Sequence, residues 1–156
     1  MIPVRSLVGL VVVLVAVSSC GRASSAGRSA ADLAQPQTAC EAVQAGVVED
    51  IIGSSTSRAF ELPPLSECTW SGEGGEIIVR IETVPDPQAF IAHSIESTDP
   101  DLVIALDALV AGAVEFQGEA LLGSYGDHIV LVQGSPVTSE LRTVLAAAVA
   151  GLAAAE

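Results

Sequence analysis

The chain has 156 residues, with 19 acidic side chains against 6 basic ones, all arginine, and a formal charge of −13. So negative a surface repels phosphate backbones, whose binding proteins carry basic patches, which excludes nucleic acid as a partner. Aromatic residues make up only 3%. That is too few for the stacking platforms on which single-strand or sugar binders rely, and it leaves the core to Val, Ile, Leu and Ala.

The first nineteen residues have three zones: "MIPVR" with one positive charge at Arg5, the uncharged run Leu7 to Val17, and then Ser18-Ser19. This is the layout of an export signal. A membrane span is the rival reading, but eleven residues of helix cover roughly 16 Å of a hydrocarbon core about 30 Å thick. Val17-Ser18-Ser19-Cys20 resembles the lipobox of bacterial lipoproteins, an aliphatic residue and two small ones before cysteine. The resemblance implies a signal peptide over 1–19, cleavage before Cys20, and a diacylglycerol thioether on Cys20 that holds the chain to the cell membrane on its extracytoplasmic face. Cleavage would remove one arginine and no acid, taking the formal charge from −13 to −14.

Residues 21–37, "GRASSAGRSAADLAQPQ", are small and polar and lack apolar periodicity, which reads as a flexible tether spanning on the order of 20–25 Å. With Cys20 they separate the signal from a single domain over 38–156. That domain opens on "TACEAVQAGVVEDIIGS", where Thr38 and Glu41 form a capping box. Val43, Val47, Val48, Ile51 and Ile52 follow at helical spacing, and Gly53 is placed to end the helix with positive φ. A strand is expected over Arg58–Leu62, stopped by Pro63-Pro64. "ECTW" starts another, "SGEGGE" turns, and "EIIVRIETV" returns with Ile77, Val79 and Ile81 on one face.

"PDPQAFIAHSIES" reads as a helix with Asp86 as N-cap and Pro87 at its first position. Asp101–Val110 stays open between helix and strand, and Ala113–Gln117 reads as a strand. "EALLGSY" and "HIVLVQG" form a hairpin about a Gly126-Asp127 turn. "SPVTSELRTVLAAAVAGLAAA" is a C-terminal helix, capped by Ser135, with Pro136 behind it. "GGEIIVRIETVPDPQAF" and "YGDHIVLVQGSPVTSEL" look like a faint internal repeat. The fold class expected is α+β: an antiparallel sheet with helices packed on one face, in the order helix, strands, helix, strands, helix.

Cys40 and Cys68 remain once Cys20 is assigned to lipid. Outside the cytoplasm such a pair is expected to be bridged. The bridge closes a loop of about 29 residues, for which chain entropy gives roughly 3.6 kcal/mol. A cysteine at a helix start, an aliphatic helix ending in Gly, then Cys-x-Trp and a strand ("ACEAVQAGVVEDIIG" and "ECTWSGEGGEIIVRI") resemble a family of actinobacterial lipoproteins of unknown function. The resemblance covers residues 39–83 and implies an envelope location with no agreed activity.

Signs of catalysis are missing. There is no G-x-S-x-G elbow, and a nucleophile needs a base in reach. His93 reads as a surface residue on the polar side of its helix, and His128 as the end of a hairpin. "SGEGGE" lacks the lysine of a phosphate loop. Asp99 and Asp101 supply too few oxygens for calcium, and two histidines with two bridged cysteines make no zinc site. Trp70, two residues after Cys68, is expected to pack against the bridge. No cofactor and no enzymatic activity are expected. What remains is a binding or accessory module of the envelope, with membrane contact through the lipid and an envelope protein or small ligand as partner. The alternatives are a lipid or small-ligand carrier, which needs an apolar cavity, and a hydrolase whose site is assembled from residues without a motif.

Overall fold

A computed structural model describes residues 38–117, 119–135 and 139–155. Cys20, the signal and the tether lie outside the described residues. Two short helices, α1 (Ala39–Ala42) and α2 (Ala45–Ile52), lead into strands β1 (Ser55–Leu62), β2 (Leu65–Gly72) and β3 (Gly75–Thr83). Helix α3 (Pro87–Glu96) and a 3-10 turn (Pro100–Leu102) come next. Strands β4 (Val103–Ala105), β5 (Val114–Phe116), β6 (Ala120–Tyr125) and β7 (His128–Ser135) precede helix α4 (Leu141–Ala154). The strands form one seven-stranded sheet in the order β1-β2-β3-β7-β6-β5-β4, and every pairing is antiparallel.

The α+β class with an antiparallel sheet is therefore as expected, but the helices do not share one face. Val130 and Val132 of β7 and Leu121 of β6 join the core beneath α1, α2 and α4, where Leu141, Val144 and Leu145 meet them. Leu122 and Ile129, next to them in the sequence, belong to a second core with Ile91 of α3 and Val114 of β5. Side chains alternate across a strand. A run such as Ile129-Val130-Leu131-Val132 is apolar on both faces and must be covered on both. Helix α3 supplies the second cover, so a one-faced arrangement would leave Leu122 and Ile129 in water.

The first helix is also two helices. Val43 and Gln44 turn the chain through extended geometry between α1 and α2. Ala39 and Val48 are nine positions apart, as are Val43 and Ile52, which is about two and a half helical turns and hence opposite sides of a continuous helix. All four are buried in one core, and only a break lets both pairs reach the sheet. At the start of α1 the Thr38 N–H donates to Glu41 Oε2 at 3.3 Å. Gly53 closes α2 at φ 76° and ψ −167°, a combination essentially confined to glycine.

Helix α3 begins as expected, with the Asp86 carboxylate accepting from the Ala89 N–H at 2.9 Å. Helix α4 does not: Ser135 is the last residue of β7, and the helix starts at Leu141. Pro136 and Val137 lie outside the described residues. The ambiguous stretch after Asp101 resolves into the 3-10 turn, β4 and further turns. The two repeat-like segments place β3 beside β7 with Val79 opposite Val132. A two-fold axis normal to the sheet would relate them and keep the helices that follow on one face. With α3 and α4 on opposite faces, the likeness stops at the strands.

Candidate functional site

Helix α3 covers the second face only at the β5-β6-β7 end. Among the described residues nothing covers the β1-β2-β3 half of that face, and its side chains lie in cross-strand rows set by the register. Thr56, Ser71 and Glu76 form one row, and Arg58, Thr69 and Ile78 the next. Phe60, Glu67 and Arg80 form the third, and Leu62, Leu65 and Glu82 the last. Arg80 pairs with Glu67, and the Ser71 hydroxyl donates to Glu76 Oε2 at 3.2 Å. Arg58 has no ion pair among the described residues, while Arg142 is held by Glu115 at 2.7 Å on the other face. Phe60 and Leu62 are 51% and 61% exposed. A groove of about 450 Å³ runs over this surface between Thr56, Phe60 and Glu76, a size within the usual range of ligand sites. Apart from the Phe60 ring its walls are hydroxyls, carboxylates and the Arg58 guanidinium, so it suits polar contact rather than an acyl chain.

Cys40 and Cys68 are joined by a disulfide with their Cα atoms 5.0 Å apart. Cys68 and Trp70 point into the core under α1 and are buried with it. His93 stands exposed on α3. Asp99 and Asp101 are engaged locally, with Asp99 Oδ1 accepting from the Asp101 N–H at 3.1 Å. The "SGEGGE" segment is the β2–β3 turn, and its Gly74 N–H donates to the Ile52 carbonyl at 2.9 Å. That donor serves the end of α2 instead of a phosphate. No group of His, Cys, Asp and Glu suited to a metal occurs among the described residues.

His128 has closer company than its place at a hairpin end suggests. Its Nδ1 is 3.1 Å from Thr83 Oγ1 and its Nε2 is 3.3 Å from Asp127 Oδ1. Hydroxyl, imidazole and carboxylate thus stand in a line at the end of β3 and β7. Chemically the line can pass a proton. An acyl-transfer site also needs free donors aimed at the developing oxyanion. Two backbone donors beside the line are occupied, the Thr83 N–H by the Pro64 carbonyl and the Val84 N–H by the Asp127 carbonyl. The space beside Thr83, His128 and Pro64 is about 60 Å³, room for roughly two waters. Thr83 escaped the sequence reading because 45 residues separate it from His128. The signal available was the repeat-like likeness of the two strands that bring them together.

A cavity of about 150 Å³ between α2, the β2–β3 turn and the start of α4 includes Asp50, Glu76 and Glu140 with Ile51 and Ile77. It is below the roughly 300–1,000 Å³ of small-molecule sites and is partly acidic, unlike the apolar chamber that a lipid carrier needs. No family model, no curated protein and no solved structure matches the chain. Among the described residues no helix is long and apolar enough to cross a membrane.

Proposed function

We propose that the chain is a cell-envelope lipoprotein, cleaved before Cys20 and anchored there by lipid on the outer side of the membrane. It works as a non-enzymatic binding or accessory module through the open β1-β2-β3 face. The lipobox-like Val17-Ser18-Ser19-Cys20 and the resemblance of residues 39–83 to actinobacterial lipoproteins support the anchor and the location. The observation that carries the binding role is the half-sheet face itself. Among the described residues it offers an exposed aromatic, an arginine without an ion pair and a groove of ligand size. Contiguous exposed patches of this kind mark interaction sites.

The hydrolase reading keeps one observation in its favour, the Thr83–His128–Asp127 line. One set of variants separates the two. Fatty-acid label should enter the wild-type chain, and Cys20→Ser should abolish it and release the chain or stall its processing. In a strain lacking the chain, complementation should survive His93→Ala and His128→Ala and fail with Thr69→Arg, which fills the groove. Wild-type chain in the soluble fraction without acyl mass would overturn the anchor. Loss of function with His128→Ala in a folded chain would favour the hydrolase.

A further inference from the structure

Strand β1 is an edge strand eight residues long, and every residue from Thr56 to Leu62 is exposed. Alternate residues of this edge aim N–H and C=O groups at no partner strand among the described residues, and proteins ordinarily blunt an edge with charged side chains, lysine above all, with proline or with a bulge. Here the strand body has no lysine, proline or bulge before Pro63, and its two charged residues, Arg58 and Glu61, are of opposite sign. Ala59 lies opposite Cys68 on the helix-bearing side yet is exposed, so neither α1 nor α2 closes over it.

We infer that two copies of the chain pair through β1, antiparallel, about a two-fold axis passing between their Ala59 residues. Symmetry and chemistry select that register. A two-fold axis relating adjacent antiparallel strands is normal to the sheet, so each side chain faces one from the same side of the partner sheet. Centred on Ala59, Arg58 of one copy lies against Phe60 of the other, twice, and the unpaired guanidinium finds an aromatic face. On the opposite side Ser57 lies against Glu61. Glu61 Oε1 already accepts from the Ser66 hydroxyl at 2.7 Å, which leaves Oε2 for the partner's Ser57. Thr56 falls opposite Leu62. Shifting the centre to Arg58 or to Glu61 sets like charges face to face, which is destabilising. Centring on Phe60 lays Arg58 against Leu62 and Glu61 against Ala59, so both charges lose their partners. The small Ala59 at the axis lets the two backbones meet. The pairing leaves both open half-faces on one side, as a continuous six-stranded surface, and it does not depend on the face having the binding role proposed above.

The test uses full-length chains in their own membranes, with substitutions on the face away from the Cys40–Cys68 bridge. Differently tagged Thr56→Cys and Leu62→Cys chains, expressed together and mildly oxidised, should give a disulfide-linked mixed dimer. Their Cα atoms would be about 4.5–5.5 Å apart, within disulfide reach. Either variant alone should stay unlinked, because six residues of strand displace it about 20 Å from its own copy. Adding Arg58→Glu should lower the mixed-dimer yield roughly tenfold, by setting a carboxylate against the partner's ring. Linkage of either variant to itself, an unlinked mixture, or a yield indifferent to Arg58→Glu would overturn the pairing. So would capture of a protein of another mass in place of the second copy.

Discussion

Gly151 shows how far a single atom decides the packing of α1 on α4. A Cβ built on it would lie 2.1 Å from the Ala42 carbonyl oxygen and 2.9 Å from its carbon, so the two helices approach backbone to backbone. Glycine is otherwise a poor choice in the interior of α4. Replacing it with alanine gains about 1 kcal/mol of helix propensity. Overpacking against a backbone atom, which has no rotamer to yield, costs about 1–3 kcal/mol or more. The second effect wins because the obstructing atom belongs to α1, which the disulfide holds to the sheet. Gly151→Ala is therefore expected to lower the midpoint of denaturant unfolding, and a midpoint at or above wild type would show that α1 yields freely. Nothing in the sequence singled this residue out, since it sits among alanines and its neighbour in space is more than a hundred positions away. Thr83 is a similar case, 45 residues from the His128 ring that it meets. The sequence placed His128 at a hairpin end, and only the pairing of β3 with β7 supplies its hydroxyl partner.

Strands and turns were legible because each carries a local signal. The alternation of Ile77, Val79 and Ile81, the Gly126-Asp127 turn and the Asp86-Pro87 start of α3 each settle a few neighbouring residues by short-range sterics and hydrogen bonds. What failed was the choice between faces. The alternation in β3 is mostly one-sided, with Glu76, Arg80 and Glu82 opposite and only Ile78 apolar among them, and it implies a sheet covered once. The double-sided runs at Leu121-Leu122 and Ile129–Val132 carried the opposite message, and these are the strands on which α3 settles. The expectation of one long first helix failed for a related reason, because spacing alone does not say which side of the helix meets the sheet. Helix α1 now consists of four residues, far below the length at which a helix holds in water by itself. It is kept by Ala39, Ala42 and Val43 in the core, by the Ala39 N–H donating to Ser66 Oγ at 2.7 Å, and by the bridge. Cys40→Ala is expected to cost about 2–5 kcal/mol and to leave the Cys68 thiol free. Amide exchange should quicken first over residues 39–43 and only later in β3 and β7. Uniform loss of protection across the sheet, or none at all, would mean that the bridge does not act through α1.

At the scale of the whole molecule, charge sets a condition on stability that no single contact reveals. Arg5, Arg22, Arg28 and Asp32 precede residue 38, so the folded part keeps three arginines of the chain's 6 and eighteen acids of its 19. Two of those arginines, Arg80 and Arg142, are ion-paired with Glu67 and Glu115. An exposed or half-exposed pair of this kind is worth about 0–1 kcal/mol. The remaining carboxylates repel one another over the sheet and helices, and compaction brings them closer than they are in the unfolded chain. Salt acts on both effects at once. Raising ionic strength from about 0.01 M to 0.15 M shortens the screening length from about 30 Å to about 8 Å. The long-range repulsion among many acids is removed almost entirely, while two pairs in contact lose little. The sign follows from the counts: thermal unfolding of the purified chain should move to higher temperature as sodium chloride is added over that range. The same trend should persist in an Arg80→Gln variant, because the missing pair was never the dominant charge effect. A melting temperature that falls with salt would mean that the Arg80–Glu67 and Arg142–Glu115 pairs outweigh the repulsion.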